Sequence, residues 1–332
     1  MMTRPAWCRP VVPALIAGLL VLSAGVAMAQ TALKVAVVPT PPALSLLSPY
    51  VAKEEGFFAK HGLSVELLEL RTGSLVMKAV LAGEADLGHS SSSEMVAVSK
   101  GAKARAIMSP TQPTDYMIVA DKSIASLGQL EGKTLAVSAP GSIAYDLPRL
   151  LMRRAGGNPE KAKYVSIGSQ GDRLRALAGK QVDATLLSID YAVRALEYPH
   201  LKILASAPEA LPDYVFVYLY ATEETIAAKA EALTGYVKAI LLANRYMDEN
   251  KAGTLRIAKK HIPGASDTVL DQSYDFLKKG KVFTLNGGLD EKAFLFTRDI
   301  LMESGSLKTA ITPAQFMEPR FLKRALDEVG RR

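Results

Sequence analysis

From residue 33 onwards the apolar positions come in short bursts separated by polar turns. Residues 33–38 (LKVAVV) form a β-branched run stopped by Pro39-Thr40-Pro41-Pro42; proline offers no ladder donor, so a strand ends there and a loop begins. The spacing turns helical over 43–60. It then predicts a strand over 63–70, a helix over 74–82 and a short strand over 85–88 that runs into polar Ser90, Ser91, Ser92 and Ser93. Strand and helix alternating at such short spacing are the signature of a parallel α/β sheet.

The alternation resumes with strands expected at 134–137, 164–167 and 184–187, separated by helices at 143–155 and 172–178. Two extended segments, 116–120 and 214–220 (YVFVYLY), bracket this second block and are expected to be the crossings between two lobes. The division that follows puts 30–114 and 219–332 in a discontinuous first lobe and 115–218 in a second. Two crossings confine relative motion to roughly one axis, which makes a hinge. Beyond residue 220 the chain turns helical. Leu233, Tyr236, Val237, Ile240 and Leu241 recur at helical spacing, and helices over 267–278 and 290–303 are expected to cover the first lobe.

The N-terminus changes the picture. Arg4 and Arg9 precede an uncharged, apolar stretch over 11–26 interrupted only by Ser23, and Ala27-Met28-Ala29 offers small residues at both ends of a cleavage triplet. Residues 1–29 therefore read as a cleavable secretory leader, and Pro13 and the small-residue exit argue against a retained membrane anchor. Cleavage leaves about 300 residues, a length at which one core usually gives way to two. The single cysteine, Cys8, lies before the apolar stretch, so it is not a lipid-anchor cysteine, and it leaves with the leader. A thiol-free mature chain has no disulfide, thiolate metal site or cysteine nucleophile. The expected location is periplasmic, without a lipid anchor.

Charge excludes more than it assigns. The formal net charge is +7, and its lysines and arginines are interspersed with acids, with no basic block that would read as a nucleic-acid surface. Residues 126–134 end like a phosphate-binding loop in Gly132-Lys133-Thr134, but Leu127 replaces the upstream glycine and the Lys-Thr pair opens a strand. Gly88-His89-Ser90-Ser91-Ser92 resembles a nucleophile elbow until Ser92 stands where glycine is required. His61, His89, His200 and His261 lack metal-ligand spacing, so neither a metal nor a cofactor is expected.

Four polar turns recur between an expected strand and the next helix: Thr72-Gly73-Ser74, Ser90 to Ser93, Ala139-Pro140-Gly141-Ser142 and Gly168-Ser169-Gln170-Gly171. Carboxyl-end turns of α/β sheets line the crevice where ligands bind, and helix N-termini there present free N–H groups to a polar or anionic group. Any one such turn is also what ordinary helix capping requires; four of them, two in each lobe, point to a cleft. Tyr116, Tyr145 and Tyr191 could supply ring faces. Asp190 is either an acidic contact or the cap of the following helix. His89, at the crevice end of a strand, could donate to an anion but is expected to be a capped or exposed loop histidine, and Arg71 either faces the cleft or solvent.

Residues 33–220 resemble the extracytoplasmic solute-binding proteins of ATP-binding-cassette importers, of the nitrate, sulfonate and taurine type, which are similar to the NMT1/THI5-like family. The resemblance is carried by EEGFFAKHGLSVELLEL at 54–70, AVLAGEADLG at 79–88, LGQLEGKTLAVSAPGS at 127–142 and ALAGKQVDATLLS at 176–188. It implies a two-lobed α/β fold of the periplasmic-binding-protein type (type II) with two hinge crossings, a small polar or anionic solute held between the lobes, and delivery to a membrane permease by a monomeric receptor. It would place Thr40, Gly73, Ser74, Ser91, Ser92, Gly141 and Ser142 at the ligand; Tyr116, Gly171, Asp190 and Tyr191 join them from the turns themselves. The eukaryotic branch includes enzymes with a cysteine-rich iron motif, which a cysteine-free mature chain cannot form. A sensor-docking receptor is the alternative function, and an extracytoplasmic hydrolase a more distant one.

Overall fold

The computed structural model describes residues 30–38, 43–91, 93–138 and 142–332; the expected leader over 1–29, Thr40, Ser92 and Gly141 lie outside these, and for Ser91 only the backbone is described. The strands in chain order are β1 Thr31–Val37, β2 Leu63–Glu69, β3 Leu87–Ser91, β4 Ala104–Thr111, β5 Tyr116–Asp121, β6 Thr134–Val137, β7 Lys163–Ser166, β8 Ala184–Ser188, β9 Leu201–Ser206 and β10 Val217–Thr222. They form two five-stranded sheets, β2-β1-β3-β10-β4 and β7-β6-β8-β5-β9, so the two lobes share one strand order.

Neither sheet is wholly parallel. β10 runs antiparallel to β3 and β4, and β5 antiparallel to β8 and β9. Each reversed strand enters from the other lobe at the carboxyl ends of its neighbours and must run back down the sheet. The register shows this: Val217 pairs with Ser91 and Thr111, and Tyr116 pairs with Ser188. The crossings are therefore shorter than the apolar runs suggest. Residues 116–120 and 217–220 lie inside the sheets, because YMIVAD and VYLYAT are apolar on both faces and need a central position. The links themselves are 112–115 and 207–216, the latter with a short helix Ala207–Ala210.

β4 and β9, which no sequence pattern singled out, complete the sheets at their edges. β4 contains Arg105 and Pro110, which break the usual strand signature. Its outer side is covered by the C-terminal region: Ser109 N–H donates to Gly287 O (2.7 Å), Gln112 N–H to Val282 O (3.0 Å) and Thr284 Oγ1 to Ser109 O (2.6 Å). Gly287 sits at φ +78°, and a Cβ there would overlap Leu322 Cδ1, so glycine is required at that corner. The helical stretch over 43–60 is broken into Leu44–Leu46, Ser48–Glu54 and Phe57–Lys60, the last break at Gly56 with φ +69°.

Helix Ala230–Glu249 is the spine of the first lobe; Leu233, Tyr236, Val237, Ile240 and Leu241 lie on one stripe and are fully buried. The remaining tail reaches both lobes. Val269 and Leu270 of helix Asp267–Lys279 pack in one cluster with Ile189 and Val193 of helix Ile189–Ala195. Ile300 of helix Glu291–Glu303 packs with Leu147 and Leu150, and Glu303 pairs with Arg154 at 2.6 Å. Among the described residues no helix is long and apolar enough to cross a membrane.

Candidate functional site

Because both sheets turn their carboxyl ends toward the crossings, the site is built where residues 43–46, 112–116, 142–143, 188–191 and 214–217 converge. Its floor is apolar. Ala43, Leu46, Phe216 and Val217 form a small buried cluster of their own, with half-buried Tyr116 and Ile143 packed against it. The Tyr116 and Phe216 rings meet edge to face, centroids 5.1 Å apart at 80°. The segment after β1 is tied to the first crossing: Ser45 Oγ donates to Asp115 Oδ2 (2.8 Å), and Thr111 Oγ1 donates to Ser45 O (3.0 Å).

The second-lobe wall is polar and densely bonded. Ser188 N–H donates to Gln170 Oε1 (2.7 Å), which ties the turn after β7 to the end of β8. Ser188 Oγ also lies 3.0 Å from Gln170 Oε1 and 2.6 Å from Asp190 Oδ1. The two acceptors compete for one hydroxyl proton. Burial does push the Asp190 carboxyl up, against the pull of Ser188 and the helix N–H groups. Asp115, fully buried, is pushed up to about 7 by desolvation and then by the Asp190 charge, while Ser45 and the Ile189 N–H favour its ionised form. The N-terminus of helix Ile189–Ala195 is thus faced by two of the chain's own carboxyl groups.

Arg173 is 3% exposed. Its Nη1 donates to Gly168 O and its Nη2 to Leu186 O at 3.1 Å, so the guanidinium clamps the turn after β7 to β8; among the described residues it has no carboxylate within ion-pair distance. Burial weakens its hold on the proton. Gly171 lies beside Tyr191, where a Cβ would stand 3.8 Å from Cε1, and Arg194 stacks over the Tyr191 ring at 5.3 Å. Ser142 Oγ accepts from Ser138 Oγ at 2.7 Å just before helix Ile143–Arg154.

The first-lobe turns are used differently. Ser90 belongs to β3, not to a turn; its hydroxyl donates to Glu94 Oε1 (3.1 Å) and lies 3.2 Å from the Tyr220 hydroxyl. His89 is buried with both ring nitrogens unpartnered, and desolvation lowers it to about 4, so it is a neutral core residue and not an exposed loop histidine. Arg71 is exposed. Gly73 and Ser74 begin helix Gly73–Leu81, which follows β2 and packs on β1 and β3, and Thr72 Oγ1 accepts from Leu75 N–H (3.3 Å) at its start. Tyr145 packs edge to face on Tyr164 and under Arg149, inside the second lobe and apart from the floor.

The structure thus gathers Tyr116, Ser142, Gly171, Asp190 and Tyr191 around the second-lobe side, with the backbone of Ser91 opposite Val217. Sequence reasoning missed Ser45, Leu46, Asp115, Arg173 and Phe216, and named Gln170 only as a member of a polar turn. Asp115 and Phe216 had a legible signal, as the last residues before two apolar strands. A surface pocket of about 610 Å³ lies between helices Lys251–His261 and Asp267–Lys279, with the Lys259–Asp267 ion pair at its lining, and none of its lining residues belongs to the converging segments.

The family model described as "NMT1/THI5 like" matches residues 46–252. A protein of Brucella abortus (strain 2308) described only as a binding protein is 22% identical over 276 residues, 80% of this chain and 84% of its own length. The formylaminopyrimidine-binding protein of Halalkalibacterium halodurans is 24% identical over 213 residues, 63% of this chain and 64% of its own. Among solved structures, the periplasmic nitrate-binding protein NrtA from Synechocystis PCC 6803 superposes with a TM-score of 0.74 at 14% identity, covering 91% of this chain and 89% of that one. The periplasmic aliphatic sulphonate binding protein SsuA from Escherichia coli does so with 0.71 at 16% identity, over 87% and 92%. The desulfurization enzyme DSZB has the same fold, with a TM-score of 0.66 at 14% identity over 90% and 100%.

Proposed function

The chain belongs to the NMT1/THI5-like family, and from that premise we propose that it is an extracytoplasmic receptor that captures a small organic solute between its lobes and delivers it to an ABC permease. The observation that carries this reading is the convergence of the carboxyl ends of two like-ordered sheets on a double crossing, with the Tyr116–Phe216 floor between them. Such a site has the placement of a ligand crevice. Hinge rotation about 112–115 and 207–216 would open and close it, and the ligand would shift that equilibrium by binding the closed state more tightly.

On this reading residues 1–29 direct export and are removed, the mature protein works in the periplasm as a monomer, and no catalytic step is involved. One protein of the same fold is an enzyme, the desulfurization enzyme DSZB. The lobes would be 30–114 with 219–332, and 115–218, the tail helices serving as a brace between them.

X-ray scattering of the mature chain with and without a verified ligand tests the closure: a smaller radius of gyration on binding is expected, and an unchanged one removes the hinge from the mechanism. Ser142→Trp, at the mouth of the second-lobe helix, is expected to abolish ligand-induced thermal stabilisation. Undiminished stabilisation would place the ligand elsewhere.

A further inference from the structure

Helix Glu291–Glu303 belongs to three parts of the molecule at once. Ala293, Phe294 and Leu301 are buried in a first-lobe core, where the Phe294 ring stacks on Phe316 with centroids 5.5 Å apart. Phe296 and Ile300, one turn apart and so on one face, enter the second-lobe core beside Leu147 and Leu150. Buried Thr297 accepts from Val215 N–H at 2.8 Å, and Lys292 pairs with Asp213 at 2.8 Å, so the same helix also holds the second crossing. A surface helix needs one apolar stripe; two stripes serving different cores mark a helix that joins two bodies.

Its grip on the second lobe runs the length of helix Ile143–Arg154, one of the two helices that start at the crevice. Ser306 Oγ donates to Asp146 Oδ2 in the first turn (2.6 Å), and Ile300 packs on Leu147 and Leu150 in the middle. At the far end Arg154 donates twice to the Glu303 carboxylate, from Nε at 3.2 Å and from Nη2 at 2.6 Å. The other crevice helix, Ile189–Ala195, is held by Val269 and Leu270 of helix Asp267–Lys279, and Arg194 donates to Gly264 O. Rotation about 112–115 and 207–216 that carries the second lobe away must withdraw Ile300 into water and part a two-bonded ion pair. Both oppose opening.

We propose, resting on the hinge reading above, that helix Glu291–Glu303 and Ser306 form a clasp that draws the lobes together before any ligand arrives. Opening then requires release of Ile300 and of the Glu303–Arg154 pair. A binding-competent state that is already populated takes less of the ligand's binding energy, so loosening the clasp lowers apparent affinity in proportion to the closed population lost.

The test is the distance between lobes in the ligand-free mature chain. Residues 30–332 contain no cysteine, so spin labels at Glu84→Cys in the first lobe and Lys163→Cys in the second, both exposed, are the only labels taken up. Pulsed electron resonance is expected to show a shorter and a longer distance, with the shorter one populated in the parent. Arg154→Glu should lower the closed-to-open ratio about threefold, and adding Glu303→Arg should restore it. Ile300→Asp should lower it about tenfold or more. The charge variants, on half-exposed side chains, keep the test decisive should Ile300→Asp fold poorly. A ratio that neither Arg154→Glu nor Ile300→Asp lowers overturns the clasp and leaves the receptor reading standing. So does an Arg154→Glu effect that Glu303→Arg does not reverse, which would place its cause inside the second lobe. One distance, identical in the parent and every variant, removes the hinge as well.

Discussion

Glu94 and Asp190 occupy the same station in the two lobes. Each is the second residue of the helix that follows the strand in the third place of its sheet order, β3 or β8. Each is buried, bonded to a serine of that strand, and pushed up by desolvation. Their roles diverge through one methylene and one neighbour. The longer Glu94 reaches back to Ser90, itself in contact with Tyr220, inside the first lobe, and its Oε2 has no partner. The shorter Asp190 turns onto its own helix N-terminus, where Asp115 joins it from the crossing. One lobe uses the station to plug its core and the other to build the junction between lobes. Topological equivalence therefore places a side chain without assigning its task.

The largest effect is expected at Asp115, the neighbour that only the second lobe's acid has. The folded-state value of Asp115, about 7, lies above its unfolded value of 3.8. Between these values the native protein keeps a proton that the unfolded chain has released, so the stability contribution is full below about pH 4 and is lost as pH rises through about 7. The expected fall is about 4 kcal/mol across that window, measured by urea unfolding at a series of pH values, and Asp115→Asn should flatten it. A profile that keeps its full slope in Asp115→Asn would move the titration to another group.

Packing around the first acid gives the next effect. Gly88 is the second residue of β3, and a Cβ there would fall inside the Tyr220 ring, so Gly88→Ala must drive that ring away from Ser90. A loss of about 2–3 kcal/mol is expected from overpacking. The counterpart in β8 is Thr185, whose hydroxyl donates to Ala136 O at 2.8 Å, and Thr185→Val should cost about 1 kcal/mol. Similar costs at both positions would break the contrast between a close-packed first lobe and a hydrogen-bonded second. The smallest effect is expected for Glu94→Gln. With burial holding the carboxyl protonated, the amide replaces a group of equal charge and shape, and less than about 1 kcal/mol should be lost at pH 7. A loss of several kcal/mol in calorimetry would show that Glu94 is ionised in the native protein.

Much of the architecture was legible. The runs at 33–38, 63–70 and 134–137 became β1, β2 and β6 within a residue or two, and the stripe of Leu233, Tyr236, Val237, Ile240 and Leu241 became the buried face of a long helix. β4 and β9 were missed because edge strands carrying Arg105, Pro110 or Lys202 are held by their neighbours more than by their own pattern. The crossings were misplaced for the opposite reason: their signal is weak, and the apolar strands beside them dominate the local pattern.

The site divides along the same line. Tyr191 and Asp190 could be named because they follow a strand directly, while Ser45 and Arg173 could not, since Ser45 matters through a partner 70 residues away along the chain and Arg173 through backbone carbonyls. By itself the sequence determined the alternating elements, their two-lobed grouping and the absence of a cysteine beyond Cys8, because periodicity and composition are local properties. Only the tertiary structure decided which turns meet at the crossings, which acids share a helix end and which guanidinium holds two backbone carbonyls. Those outcomes depend on burial and on contacts between distant segments, and desolvation acts only once the chain has closed around the group.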